Sequence, residues 1–122
     1  MREGRAGTSL SGVCSIEAEK HLETSIVRLY GEFDLAAEKR FADELGALLH
    51  DGTATLVLDL RGLTFMDSTG LRMLVSAHKR SEDDGFDFAI LCDDGSVRNV
   101  LRETGLDRVL PVVESSGAVP AD

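Results

Sequence analysis

Leu56-Val57-Leu58-Asp59-Leu60-Arg61-Gly62-Leu63-Thr64-Phe65-Met66-Asp67-Ser68-Thr69-Gly70-Leu71 is the stretch that decides the fold. Its apolar run, Leu56 to Leu60, reads as a strand covered on both faces, because a strand with one wet side alternates. Beyond Gly70, Leu71, Leu74, Val75 and His78 recur at the three-and-four spacing of one helical face, with Arg72, Lys79 and Arg80 turned mostly elsewhere. Asp67 or Ser68 is then the N-cap, accepting a hydrogen bond from a first-turn amide that otherwise has no partner. The reading is strand, tight connection, helix.

Working outward, the same signals recur. Upstream, Asp34 is placed as an N-cap, and Phe41, Leu45, Leu48 and Leu49 mark the buried stripe of a helix over about 35–50, closed by Asp51-Gly52. Before it, Val13 to Ala18 alternates, with Cys14, Ile16 and Ala18 on one side. A polar connection, Glu19 to Thr24, leads to a strand from Ser25 to Tyr30, and so short a link predicts an antiparallel pair. Downstream, the acids of Ser81-Glu82-Asp83-Asp84-Gly85 oppose the helix dipole, which places at least part of that run in a loop. Phe86 to Cys92 is a further strand. Asp93-Asp94-Gly95-Ser96 turns the chain and caps a third helix with inner face Val97, Val100, Leu101 and Thr104, ended by Gly105. Leu106 is placed folding back over the helix end, and Val109 to Val113 is a last strand that Pro111 assigns to an edge. Strands alternating with helices predict an α/β domain with a mixed, mostly parallel sheet of about five strands, the first strand being the antiparallel exception.

A chain of 122 residues, 43% hydrophobic and 29% charged, holds one domain with an adequate core. That domain spans about residues 12–114. The flanking segments 1–11 and 115–122, rich in Gly, Ser and Ala, are expected to be flexible. The formal charge of −9 argues against a nucleic-acid surface and suits a partner with a basic patch. Cys14 and Cys92 lack metal-ligand spacing and read as buried thiols of a reducing compartment. No apolar run approaches a membrane span, and the first residues lack the apolar stretch of a signal peptide, so the expectation is a cytoplasmic protein with no membrane association.

Enzymatic chemistry has little support. A hydrolase elbow wants Gly two before the nucleophile, where Ser68 has Met66. None of His21, His50 and His78 is placed as its base, and no pair of them has metal-ligand spacing. GxxxxGK[ST] and GxGxxG are both missing, so no catalytic residue, cofactor or metal is expected. A phospho-aspartate receiver would use Asp59 as its acceptor, but the acidic pair and the late lysine are absent: the last lysine is Lys79. What remains is Ser68 at a helix mouth, where free amides and the macrodipole tolerate a phosphate. By chemistry alone such a serine is most often only a cap.

Two separated motifs change that balance. Phe65-Met66-Asp67-Ser68-Thr69-Gly70-Leu71, behind a hydrophobic strand carrying Asp59, resembles the phosphorylation loop of bacterial anti-sigma factor antagonists of the STAS domain family. Gly31-Glu32-Phe33-Asp34-Leu35 is similar to that family's Gly-Glu-hydrophobic-Asp-hydrophobic motif at the first helix. The resemblance covers about Val13 to Val113 and implies a STAS-like fold and a non-enzymatic switch. An anti-sigma factor that is also a Ser/Thr kinase binds the unmodified antagonist and frees a sigma factor. The kinase then uses Mg-ATP to phosphorylate Ser68 and dissociates, and a PP2C-type phosphatase resets the cycle. The partner-binding residues it implies are Asp34, Asp67, Ser68, Thr69, Gly70, Leu71 and Arg72, with Thr69 a less favoured acceptor. Relatives often carry a small residue where Arg72 stands, and its guanidinium can pair with the phosphate. The alternative is a STAS scaffold or ligand-sensing module without phosphorylation.

Overall fold

A computed structural model describes residues 14–114. The two expected flexible tails, together with Gly12 and Val13, lie outside the described residues.

The chain begins with a hairpin of β1 (Cys14–His21) and β2 (Thr24–Phe33), paired antiparallel from Cys14 opposite Gly31 to His21 opposite Thr24. The segment expected to be a polar connection is therefore mostly strand, and only Leu22 and Glu23 turn, with Leu22 at φ 57. Polar residues suit this position because β1 is a sheet edge: Glu19 faces solvent and accepts a 2.6 Å bond from Arg28 of β2. The inward alternation reaches Cys14 and Ile16 and stops before Ala18, which is exposed.

Asp34 caps α1 (Leu35–His50), its carboxylate accepting from the Ala37 amide at 2.9 Å, and Ala37, Phe41, Leu45 and Leu48 are buried. Next, β3 (Thr55–Met66) pairs parallel with β2 in the middle of the sheet, and its five residues from Leu56 to Leu60 are all buried. It continues six residues beyond the apolar run because its pairing with β2 runs on to Phe33, with one extra β3 residue opposite Arg28/Tyr30 and another opposite Gly31/Glu32.

α2 (Ser68–Asp84) buries Gly70, Met73, Leu74, Ala77 and Ser81. Val75, expected on this face, is 44% exposed, because the face that packs on the sheet is the one carrying Gly70, Met73, Leu74 and Ala77. The acidic run expected in a loop completes the helix. Glu82, Asp83 and Asp84 each meet a base one turn back, His78 at 3.6 Å, Lys79 at 3.9 Å and Arg80 at 3.2 Å, which offsets their conflict with the dipole. Gly85, left-handed at φ 82, ends it.

β4 (Asp87–Leu91) pairs parallel with β3 and leads to α3 (Ser96–Glu103). Ser96 does not cap α3. Gly95 holds the N-cap position without a side-chain bond, and the Ser96 hydroxyl donates instead to the Thr64 carbonyl of β3 at 3.1 Å. Val97 and Leu101 are buried. Thr104 is exposed, its hydroxyl donating back to the carbonyls of Val100 and Leu101. A 3-10 turn (Leu106–Arg108) precedes β5 (Val112–Val113), shorter than expected, with Val109 at 65% exposure in the turn.

The sheet runs β1-β2-β3-β4-β5, antiparallel only at the first pair. Sequential order with right-handed crossovers puts every helix on one face. Val27, Leu29, Leu58, Ile90, Phe41, Leu74 and Leu101 accordingly join one core cluster. Val57 and Leu91 are buried outside it, on the opposite face. That face also carries Asp59, which receives the Arg61 guanidinium at 3.0 and 2.9 Å and the Arg61 amide at 3.0 Å, with Arg28 at 3.8 Å. Burial would raise the Asp59 carboxyl, but the Arg61 bonds and the two arginine charges outweigh it and hold its pKa below the ordinary aspartate value.

Candidate functional site

The site grows from one pairing. Phe33 and Met66 are the last partners of the β2–β3 ladder, so Asp34 and Asp67 leave the sheet side by side and each begins a helix. Gly31 has φ 90, a conformation that favours glycine and accounts for its place in the first motif. Its carbonyl, at the second register shift, accepts from the Thr64 hydroxyl at 3.2 Å. Phe33 behind it is fully buried and fixes the end of β2.

Asp67 is the N-cap of α2: its carboxylate accepts from the Thr69 amide at 2.9 Å, and its carbonyl accepts from Leu71 at 3.1 Å. Ser68 is thus the first residue of the helix rather than its cap, and it is exposed. Asp67 does the capping, and the adjacent Ser68 side chain takes no part in it. The Ser68 hydroxyl is left to solvent beside first-turn amides and the positive end of the dipole.

The remaining expected residues take different stations. Thr69 is half-buried. Gly70 is buried, and a Cβ there would stand 2.3 Å from Met66 Cγ, so α2 can start this close to β3 only without a side chain. Leu71 is half-buried against the core. Arg72 is exposed, and it donates through Nε and Nη2 to the two carboxylate oxygens of Glu38 at 3.0 and 2.9 Å, joining α2 to α1. The Arg72 hydrogen bond is the chief cause that holds the Glu38 carboxyl below its ordinary pKa.

Glu38 carries no signal in the sequence, and the exposure of Leu35 and Phe65 is not marked by the motifs that contain them. Glu38 looks like an ordinary first-turn acid, and only the packing of α1 beside α2 delivers it to Arg72. Leu35 and Phe65 count as apolar in any pattern, yet they are 68% and 52% exposed and flank Asp34 and Asp67. Alternation from Leu56, Leu58 and Leu60 already turns Phe65 outward, and the two extra residues in β3 cancel before it, so the irregularity brings Leu63 inward and leaves Phe65 on the outer side.

Among the described residues no histidine bonds Ser68. His78, the histidine of the same helix, lies ten residues on, about 15 Å along the axis, stacked on Phe88 and within 3.6 Å of Glu82. Asp59, as a would-be phosphoacceptor, is buried and clamped by Arg61. Among the described residues no three His, Cys, Asp or Glu side chains converge to hold a metal, and no helix is long and apolar enough to cross a membrane. Burial raises the Cys14 thiol and pushes Cys92 up to about 11, so both are protonated at neutral pH.

A five-stranded mixed sheet with paired, acid-capped helix starts and an exposed hydroxyl defines a small recognition domain. The chain belongs to the STAS domain family, whose model matches residues 15–118. It is 30% identical over 101 residues to the anti-sigma F factor antagonist of Paenibacillus polymyxa, covering 82% of this chain and 86% of that protein. The crystal structure of an anti-sigma factor antagonist from Mycobacterium paratuberculosis is similar at a TM-score of 0.71 and 25% identity, covering 86% of this chain and 89% of that one. The anti-sigma factor antagonist SpoIIAA in its unphosphorylated form shares the fold at a TM-score of 0.71 and 23% identity, covering 83% and 88%.

Proposed function

We propose that this protein is an anti-sigma factor antagonist switched at Ser68. The observation that carries the reading is an exposed serine at the first position of α2, at the same end of the sheet as Asp34, Asp67, Thr69, Arg72, Leu35 and Phe65. Gly70 and Leu71 shape that edge from beneath. Unmodified, the edge offers two apolar side chains to bury and acids to meet a basic patch, the contacts that hold an anti-sigma factor with Ser/Thr kinase activity. In the modification the Ser68 oxygen forms a bond to the γ-phosphorus of Mg-ATP. ADP leaves, and the hydroxyl proton passes to a base of the kinase. This chain needs none of its own. The phosphate adds up to about two negative charges beside Asp67. The helix start tolerates them, but the apposed partner must desolvate them, and binding weakens. A PP2C-type phosphatase restores the hydroxyl.

Incubation with the cognate kinase and ATP, followed by intact-mass spectrometry, is expected to add one phosphate to the wild type and none to Ser68→Ala, with native far-UV circular dichroism in both. A phosphate on the Ala variant would move the acceptor elsewhere and overturn the reading.

A further inference from the structure

Arg72 stands four residues beyond Ser68 on α2, the separation that brings side chains together on one helical face. In the unmodified protein its guanidinium grips Glu38 of α1 with both ends of its fork. The Arg72 side chain is 58% exposed, so water competes for this bond and holds its net strength low. A phosphoryl group on Ser68 would offer the same fork three strong acceptor oxygens and a larger charge, one turn nearer the helix start, in the acid-before-base order that helices favour.

We propose that phosphate on Ser68 takes Arg72 away from Glu38. Modification then alters two helices at once: the guanidinium closes over the phosphate on α2, and Glu38 on α1, one turn from Asp34, is left an unpaired carboxylate. The negative charge felt by a docked partner spreads across both helix starts, while Arg72 hides part of the phosphate itself. The inference rests on Ser68 being the acceptor, and it concerns the redistribution of charge that follows.

The test installs phosphoserine at residue 68 of the full chain through an expanded genetic code, with no kinase involved, and follows the phosphorus-31 shift against pH. In the wild type the second phosphate ionisation is expected below that of Arg72→Gln, which titrates near the ordinary value of about 6. Glu38→Gln, which frees the arginine, is expected to leave it at least as low as in the wild type. Carbon-13 spectra of the Glu38 carboxyl are expected to move toward an ordinary glutamate titration once Ser68 is modified. Equal phosphate titrations in wild type and Arg72→Gln, or a Glu38 titration unchanged by modification, would overturn the exchange. The acceptor assignment would be untouched by that outcome, just as failure of a kinase to modify Ser68 would leave this measurement standing.

Discussion

Gly70 contributes no functional group, yet the position of Ser68 depends on it. A helix-interior glycine replaced by alanine ordinarily gains about 0.5–1 kcal/mol, because alanine loses less entropy on folding. Here the added methyl would lie 2.3 Å from Met66 Cγ, and Met66 is itself buried. The sign therefore reverses: Gly70→Ala is expected to destabilise by about 1–3 kcal/mol, the range for overpacking, measured as a lower urea midpoint. An unchanged or higher midpoint would mean that α2 has room to start elsewhere. At this scale much of the site could be read directly. Asp34 and Asp67 are caps because their short carboxylates reach back to the Ala37 and Thr69 amides, and Asp-Ser-Thr-Gly announces such a start. The Arg72–Glu38 bridge was not readable, since its members are 34 residues apart and nothing local couples them.

Among the elements, β3 shows where pattern reading fails and why. Its buried positions pass from a continuous run at Leu56 to Leu60 to a spacing of three, Leu63 and then Met66. No period-two template fits that, because two extra residues each turn the following side chains over. The two shifts cancel beyond Leu63, so Met66 faces the core and Phe65 the surface, as unbroken alternation from Leu60 would also have placed them. α2 misled through its packing: Val75 has the composition of a core residue, and only the face that meets the sheet selects Met73 and Ala77 instead. The sheet's other face gives a prediction of its own. Asp59 of β3 is buried beneath Arg61 and Arg28, and its native pKa lies below the ordinary aspartate value of about 3.9. Its stabilising contribution is present above that ordinary value and is lost as pH falls through the lowered native one. Asp59→Asn is expected to cost about 1.5–3 kcal/mol at pH 7, the range for hydrogen bonds to charged groups. The difference from wild type is expected to shrink in denaturant titrations below about pH 4. A cost that does not depend on pH would assign the effect to packing rather than charge.

In the whole molecule, strand order does the organising. Because β2 and β3 are neighbours and parallel, both helix starts open at the same end of the sheet, and residues 33 positions apart in the chain form one edge. The alternating strands and helices made the mostly parallel sheet and its antiparallel first hairpin legible, while the spatial order of the strands came only with the fold. The exposure of Leu35 on the edge depends on the finished fold and was not legible. A net charge of −9 favours a partner with a basic counterpart surface. We propose above all that a phosphate at residue 68 releases the partner. Calorimetric titration of the cognate anti-sigma factor kinase tests it, using the unmodified chain and the chain carrying phosphoserine at 68. The expected result is a Kd at least about tenfold weaker for the phosphorylated form, about 1.4 kcal/mol. Equal constants for the two forms would contradict the account.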